Sequence, residues 1–292
     1  MADRSEGLAL EPLWRAAAGG GAGLGDLRGG RLPPGLADRF EGGLTIELRP
    51  DRPTIVANFV STLDGAVALG PGEPTAGGGE ISGFSEADRF MMSLLRGLAD
   101  VVIVGAGTVR VGRKHVWTAR HVEPALAGAF AAWRSELRLA PQPTTIVVTA
   151  SGNLEATHAG LNDPEVPVIV ATTAAGADRL AKLPLAPHVL VQIAGGGTRV
   201  AVGALLEIVR DTGARVALCE GGPHLFGELL GARLIDELFL TMAPQVVGRD
   251  AAARRLALVE GMSFGDGRGR WANLTWVRRA GDDLFLRYRF EP

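Results

Sequence analysis

An α/β fold with a mixed sheet, mostly parallel, flanked by helices and closing on an antiparallel C-terminal hairpin, is predicted by three features of the sequence. Short apolar runs such as residues 101–104, 145–149 and 168–171 have the composition of strands covered on both faces. Between them lie intervals long enough for helices, and alternation of this kind builds a largely parallel sheet. The last third differs: residues 237–242 alternate, and residues 273–279 and 284–290 flank a Gly281-Asp282 turn, so the sheet is expected to finish antiparallel.

Taken in order, residues 1–50 are rich in Gly and Pro and read as an N-terminal extension that frays or wraps rather than packing alone. Leu13 and Trp14 are its candidates for docking on the body, and Leu44, Ile46 and Leu48 suggest a short strand within residues 42–52. The catalytic body is expected over residues 51–292. Its first strand, from residue 54 to 60, ends at Leu63-Asp64-Gly65 and precedes a Gly-rich loop at 70–79. Ser85 then stands before Glu86 and Asp88, a capping hydroxyl followed by first-turn acids, ahead of Met91, Leu94, Leu95 and Leu98 at helical spacing. A helix is therefore predicted over 85–99. Further strands are expected at 189–192 and 215–219, with helices near 124–140, 175–182 and 199–212.

Composition narrows the function. A chain of 292 residues, 47% hydrophobic, can bury one large core. A net charge of −2 offers no basic field for nucleic acid. The single cysteine, Cys219, rules out an internal disulfide and suits a reducing, cytoplasmic compartment; at the end of an apolar strand it reads as a packed side chain, not a reactive thiol. No run approaches the roughly 18 apolar residues of a membrane span, and the histidines show no metal-ligand spacing, so neither membrane nor metal is expected. Gly261-Met262-Ser263-Phe264-Gly265 matches a nucleophile elbow as a string, but Gly267, Arg268 and Gly269 follow where that motif needs a helix.

Two glycine-rich strand exits remain, at residues 104–108 and 219–224. Bare backbone at the carboxyl end of a buried strand can approach a ligand closely, and the amides of a following helix can hold phosphate, so together they suggest a nucleotide cofactor. Each alone is equally a tight turn; Arg110 stands where a Rossmann fingerprint requires its third glycine. Asn58, Ser61, Thr62 and Asp64 add polar groups at the exit of the first strand. A buried Asn58 must find a partner, in backbone or in ligand.

Asn58 to Gly65, Leu95-Arg96, Val104 to Arg110 and Glu220-Gly221-Gly222-Pro223, in that order, resemble the reductase domain of the riboflavin-pathway bifunctional deaminase/reductase, over about residues 53–290. The resemblance implies a dihydrofolate-reductase-like fold, NADPH as cofactor, a homodimer, and a small heterocyclic substrate. The family reaction reduces the ribosylamino sugar of 5-amino-6-(5-phosphoribosylamino)uracil or a related compound. Carried over by position, Val60, Gly105, Gly107 and Thr108 would line the cofactor site, and Ser151 would lie near the adenosine 2′-phosphate. Gly221, Gly222, Pro223, His224, Leu225 and Phe226 would wrap the diphosphate and ribose. Asn58, Glu80, Arg96 and Arg120 would meet substrate, and Asp64 or Glu220 would supply the proton.

The sequence also departs from the family. His121-x-Glu123 is followed by no Pro-Cys-x-x-Cys, so zinc-dependent deamination is not expected of this chain. Glu80 replaces a small hydroxyl residue and Ser82 an aromatic one. A carboxylate there would suit an amidine-like heterocycle through paired charge-assisted hydrogen bonds, which keeps a pterin or dihydrofolate substrate open. A nucleotide-binding protein without strong catalysis is the alternative from another class.

Overall fold

The structure is a computed structural model that describes residues 9–16, 26–69, 78–250, 255–265 and 267–291. The Gly-rich stretch at 19–25 and most of the expected loop at 70–79 lie outside the described residues. Along the chain, β1 (Glu11–Arg15), β2 (Leu27–Arg31) and β3 (Gly43–Glu47) precede β4 (Thr54–Thr62) and the short β5 (Ala66–Ala68). Helices α1 (Gly78–Ser82) and α2 (Glu86–Leu98) lead into β6 (Val101–Gly105), α3 (Ala106–Val111), α4 (Ala119–Val122) and α5 (Ala127–Glu136). Then follow β7 (Thr144–Thr149), α6 (Ala159–Asn162), β8 (Val168–Thr172), α7 (Ala174–Leu180), β9 (Val189–Ile193), α8 (Val202–Asp211), β10 (Val216–Cys219) and α9 (Pro223–Gly231). The last third supplies β11 (Ile235–Ala243), β12 (Leu256–Ala257), β13 (Ala272–Ala280) and β14 (Asp283–Phe290).

The main sheet runs β1-β13-β14-β11-β4-β10-β6-β7-β8-β9. From β11 to β9 every pairing is parallel, and β14, β13 and β1 join antiparallel. The expected C-terminal hairpin is present, with Gly281 at φ 57° in its turn. One expectation needs correction: β11, whose sequence alternates, runs parallel to β4 and is buried along most of its length, because a neighbouring strand and the helix layers enclose it.

Period-two alternation splits the core. Val102 and Val104 of β6 face α2 and α5 with Phe90, Leu94, Phe130 and Trp133. Val101 and Ile103 face α8 and α9 with Leu205, Val209 and Phe226. Ser85 caps α2 as expected, accepting from the Asp88 amide at 3.3 Å. The other end of α2 is closed by Arg134, whose Nη1 donates to the carbonyls of Arg96, Gly97 and Ala99 at 3.0, 3.1 and 2.8 Å. Burial lowers that guanidinium to about 10.

The segment before residue 50 wraps this body. Leu10, Leu36, Phe40, Leu44 and Ile46 are buried in the same cluster as α2 and β6. Arg278 lies 3.7 Å over the Phe40 ring and donates to the carbonyls of Leu10 and Glu41 at 2.8 and 2.7 Å. Leu13 and Trp14, the expected docking side chains, are instead 52% and 48% exposed. They sit on an edge strand held to β13 by backbone hydrogen bonds, and all five of its residues face solvent.

At the amino ends of the parallel strands, carboxylates tie the layers together. Asp236 accepts from Arg49 at 2.6 Å, from both Arg52 nitrogens at 2.8 Å and from the Ile55 amide at 2.9 Å. Asp100 does the same for Arg28 and the Val216 amide. The opposite, carboxyl ends are left for ligands. Among the described residues no helix is long and apolar enough to cross a membrane.

Candidate active site

The site begins where β6 and β10 end together. Cys219 pairs with Ile103, and the Glu220 amide donates to the Ile103 carbonyl at 2.9 Å, so both strands leave the sheet at one height. Each then makes a bend and enters a helix, with Gly105 as N-cap of α3 and Gly222 as N-cap of α9. A Cβ added to Gly105 would lie 3.8 Å from the Gly222 nitrogen, and one added to Gly222 would lie 4.0 Å from Thr108 Oγ1. The two bends therefore face each other across bare backbone. Gly221 is constrained differently: its Cβ would fall 2.6 Å from Leu225 Cδ2.

Such a cradle fits a dinucleotide diphosphate. The first-turn amides of His224 and Leu225 have no intrahelical acceptor, Pro223 has no N–H to waste, and the positive end of the helix dipole faces the bend. The expected reach of this stretch is shorter than residues 221–226. The Phe226 amide is spent on the Gly222 carbonyl at 3.1 Å, and its ring is buried edge-on to Phe59 at 4.9 Å. Leu225 is also buried, so only its backbone faces outward, while His224 is exposed. Gly107, on α3, has Arg110 as its nearest neighbour, 3.9 Å from where a Cβ would stand.

Beside the cradle the fold joins two residues 124 positions apart. Arg96, 1% exposed, meets Glu220 through Nε at 3.1 Å to both carboxylate oxygens and through Nη2 at 2.6 Å. Its Nη1 donates to the carbonyls of Val116 and Thr118 at 3.4 Å. The guanidinium is fully engaged inside the protein, which makes it a holder of the Glu220 bend rather than an open anion receptor. Burial and the nearby Arg96 push His115 down to about 2, leaving it a neutral imidazole beside His121, 4.9 Å away. Burial likewise pushes the Cys219 thiol up to about 12, consistent with a packed, unreactive side chain.

Asp64 is committed elsewhere. Its carboxylate accepts from Thr62 Oγ1 at 2.6 Å and from the amides of Gly248 and Val247 at 2.8 and 3.3 Å. The Thr62 hydroxyl foremost, and those amides, hold its pKa below the usual carboxylate range. It locks the 247–249 loop to the end of β4 and is a poor proton source. Asn58 is half-buried opposite Phe239, and Val60 is buried against Ile81 and Ala243, so Val60 can offer a ligand only backbone. Glu80 is half-buried on α1, and its carbonyl accepts from Gln245 at 3.1 Å.

Arg120 is engaged by two acids, Asp163 at 2.7 Å and Glu165. Ser151 is exposed and accepts from the Asn153 amide at 3.3 Å. Asn153 in turn lines a cleft of about 230 Å³ with Arg110, Arg113, Glu155 and His158.

Asp88 looked like a first-turn acid, yet it is 8% exposed on the inner face of α2. Burial raises its carboxyl to about 6, against the opposing effect of the nearby Thr241 and Ser82 hydroxyls. Its place three residues before Met91 and seven before Leu95, both buried, was the signal that could have found it.

A mixed sheet with helices on both faces and paired glycine bends at the carboxyl ends of adjacent parallel strands is the build of a dinucleotide-dependent oxidoreductase. The RibD C-terminal domain family matches residues 53–272, and the chain belongs to that family, whose reductases use a nicotinamide cofactor. It is 30% identical over 201 residues to the 2,5-diamino-6-ribosylamino-4(3H)-pyrimidinone 5′-phosphate reductase of Methanothermobacter thermautotrophicus, covering 68% of this chain and 82% of that one. The enzyme of the same name from Archaeoglobus fulgidus is 26% identical over 200 residues, covering 68% and 83%.

Among solved structures, a pyrimidine reductase-like protein from Corynebacterium diphtheriae superposes with a TM-score of 0.63 at 20% identity, covering 82% of this chain and 92% of that one. The diaminohydroxyphosphoribosylaminopyrimidine deaminase/5-amino-6-(5-phosphoribosylamino)uracil reductase of Thermotoga maritima does so with 0.61 at 20%, covering 82% and 57%. These likenesses show the fold, a mixed sheet, mostly parallel and flanked by helices, as expected from the sequence.

Proposed function

We propose that the protein is an NADPH-dependent reductase of a ribosylaminopyrimidine 5′-phosphate. The observation that carries this reading is the meeting of the Gly105 and Gly222 bends, with Glu220 and its buried Arg96 partner beside them. The amides of Gly222, His224 and Leu225 would hold the diphosphate, and the backbone of Val60 would border the nicotinamide. When bound, the cofactor would supply a hydride to the opened-sugar C=N carbon, and the nitrogen would take up a proton relayed through the Glu220 carboxyl. The chain's own part is to hold that carbon in line and keep water out, with the Glu220–Arg96 pair fixing the bend.

NADPH rather than NADH is favoured by Arg110 and Arg113, which line the cleft next to Ser151 and suit a 2′-phosphate. A homodimer belongs to the same reading, and the exposed Leu190, Val191 and Ile193 on edge strand β9 offer it an apolar surface. So does a cytoplasmic location.

The test is oxidation of NADPH and of NADH with the ribosylaminopyrimidine phosphate, and separately with dihydrofolate. The expected result is turnover with the pyrimidine and a kcat/KM at least about tenfold higher for NADPH, about the value of one charge-assisted contact. Equal use of NADH would remove the roles of Arg110, Arg113 and Ser151. Oxidation with dihydrofolate alone would replace the substrate, and oxidation with neither would end the reading.

A further inference from the structure

The cleft beside Ser151 holds an acid that a phosphate ligand does not need. About 230 Å³ in volume, it lies between α3 and the loop after β7, and its lining includes Arg110, Arg113, Asn153 and Glu155. Arg110 reaches back toward the cradle, with Nη2 3.9 Å from where a Cβ on Gly107 would stand, so cleft and cradle adjoin along α3. A 2′-phosphate placed in this cleft carries negative charge, and a carboxylate in the same wall repels it.

The acid stands on a fixed loop. Gly152 takes φ 65° where a Cβ would strike the Gly176 carbonyl, and its amide donates to Thr149 Oγ1 at 3.1 Å. His158 ties the loop to the other wall. Its amide donates to the Glu155 carbonyl at 3.0 Å and its Nδ1 accepts from the Gly160 amide at 3.0 Å, so Nε2 keeps the proton and donates to the Gly112 carbonyl at 2.9 Å. On this frame the two oxygens of Glu155 face different partners. Oε1 accepts from the Thr157 hydroxyl at 3.2 Å, and Oε2 lies 3.8 Å from Arg113 Nε.

The two arginines are thereby unequal. Among the described residues Arg110 has no carboxylate partner, whereas Arg113 is paired with Glu155. Both members of that pair are exposed, 77% and 54% in their side chains, so the contact contributes little to the fold. Its consequence is for binding. A phosphate must draw Arg113 off Glu155 and then sit opposite the released carboxylate. A ribose without the phosphate meets the reverse situation, because its 2′-hydroxyl can donate to a carboxylate in a charge-assisted hydrogen bond.

We propose that Glu155 is a specificity-determining residue that restrains the preference of this reductase for a 2′-phosphorylated dinucleotide, by occupying Arg113 and by offering the unphosphorylated ribose an acceptor. The inference rests on the NADPH reading and deepens it. Arg110 is the principal phosphate contact, and the discrimination is smaller than two unopposed arginines would give.

Equilibrium binding of NADPH and of NADH, followed by nucleotide fluorescence, tests it in wild type, Glu155→Gln, Arg110→Ala and Arg113→Ala. The two nucleotides differ only in the 2′-phosphate, so the ratio of their Kd values separates this cleft from the cradle and from any general loosening of the fold. In Glu155→Gln the NADPH Kd should fall about fivefold, the upper range for an exposed ion pair, and the NADH Kd should rise about twofold. Arg110→Ala should raise the NADPH Kd by at least about tenfold and Arg113→Ala by no more than about threefold. A preference for NADPH in wild type that Glu155→Gln leaves unchanged overturns the proposal, and so does a larger loss in Arg113→Ala than in Arg110→Ala. Either result leaves the NADPH reading standing, whereas equal Kd values for the two nucleotides in wild type and Glu155→Gln alike defeat that reading itself.

Discussion

Arg96→Met is expected to destabilise the fold by about 3–5 kcal/mol and to abolish turnover, the larger of the two losses anticipated here. The guanidinium is 1% exposed, and its removal strands the Glu220 carboxylate, itself 8% exposed in its side chain, without a cation. The carbonyls of Val116 and Thr118 lose their donor as well. A buried pair of this kind contributes little net stability when compared with apolar packing, but breaking one side of it is costly. Arg96→Met combined with Glu220→Leu should therefore recover most of the stability and none of the activity. Denaturant unfolding followed by the fluorescence of the buried Trp117 and Trp133 reads the first quantity, and NADPH oxidation the second. Equal destabilisation in the single and double variants would show that packing, not charge, is what Arg96 contributes.

Gly222→Val is expected to raise the NADPH Kd by at least about 100-fold, the equivalent of losing roughly two backbone contacts to a charged diphosphate. The Gly222 backbone, at φ −63° and ψ 173°, accepts any residue, and the space around its Cβ is free apart from Thr108 Oγ1 at 4.0 Å. A branched side chain fits the fold and fills the cradle. Stability should change by only about 1 kcal/mol, the difference between glycine and an apolar residue at an N-cap. Calorimetric titration checks the affinity, and a thermal melt checks that the fold survives. An unchanged Kd would move the diphosphate away from this bend.

The features legible in the sequence were those with a local signature. Ser85 with its following acids gave the start of α2, the valine-rich runs gave the buried strands, and Gly281-Asp282 gave the hairpin. The two bends were visible because glycine at a strand end is a chemical statement by itself. Long-range pairings were hidden: nothing near Arg96 announces Glu220, and nothing near Asp64 announces the amides of 247 and 248 that hold it. Arg120 matched a substrate position in the linear pattern, yet two acids beyond β7 claim its side chain. Strand β2, Leu27-Arg-Gly-Gly-Arg31, has neither alternation nor β-branched residues; it exists because β3 and the Arg28–Asp100 contact hold it. Asp88 is the first-turn acid the sequence predicts, but its burial was hidden, because an acid there satisfies the helix dipole wherever it points.

The central claim is that the bends after Val104 and after Glu220 grip one diphosphate together. Backbone amide NMR of the ¹⁵N-labelled protein, titrated with NADPH, tests it most directly. The amides of Gly105 and Gly107 and those of Gly222, His224 and Leu225 should shift in one transition with one affinity. Shifts confined to one bend, or two transitions with separate affinities, would contradict it.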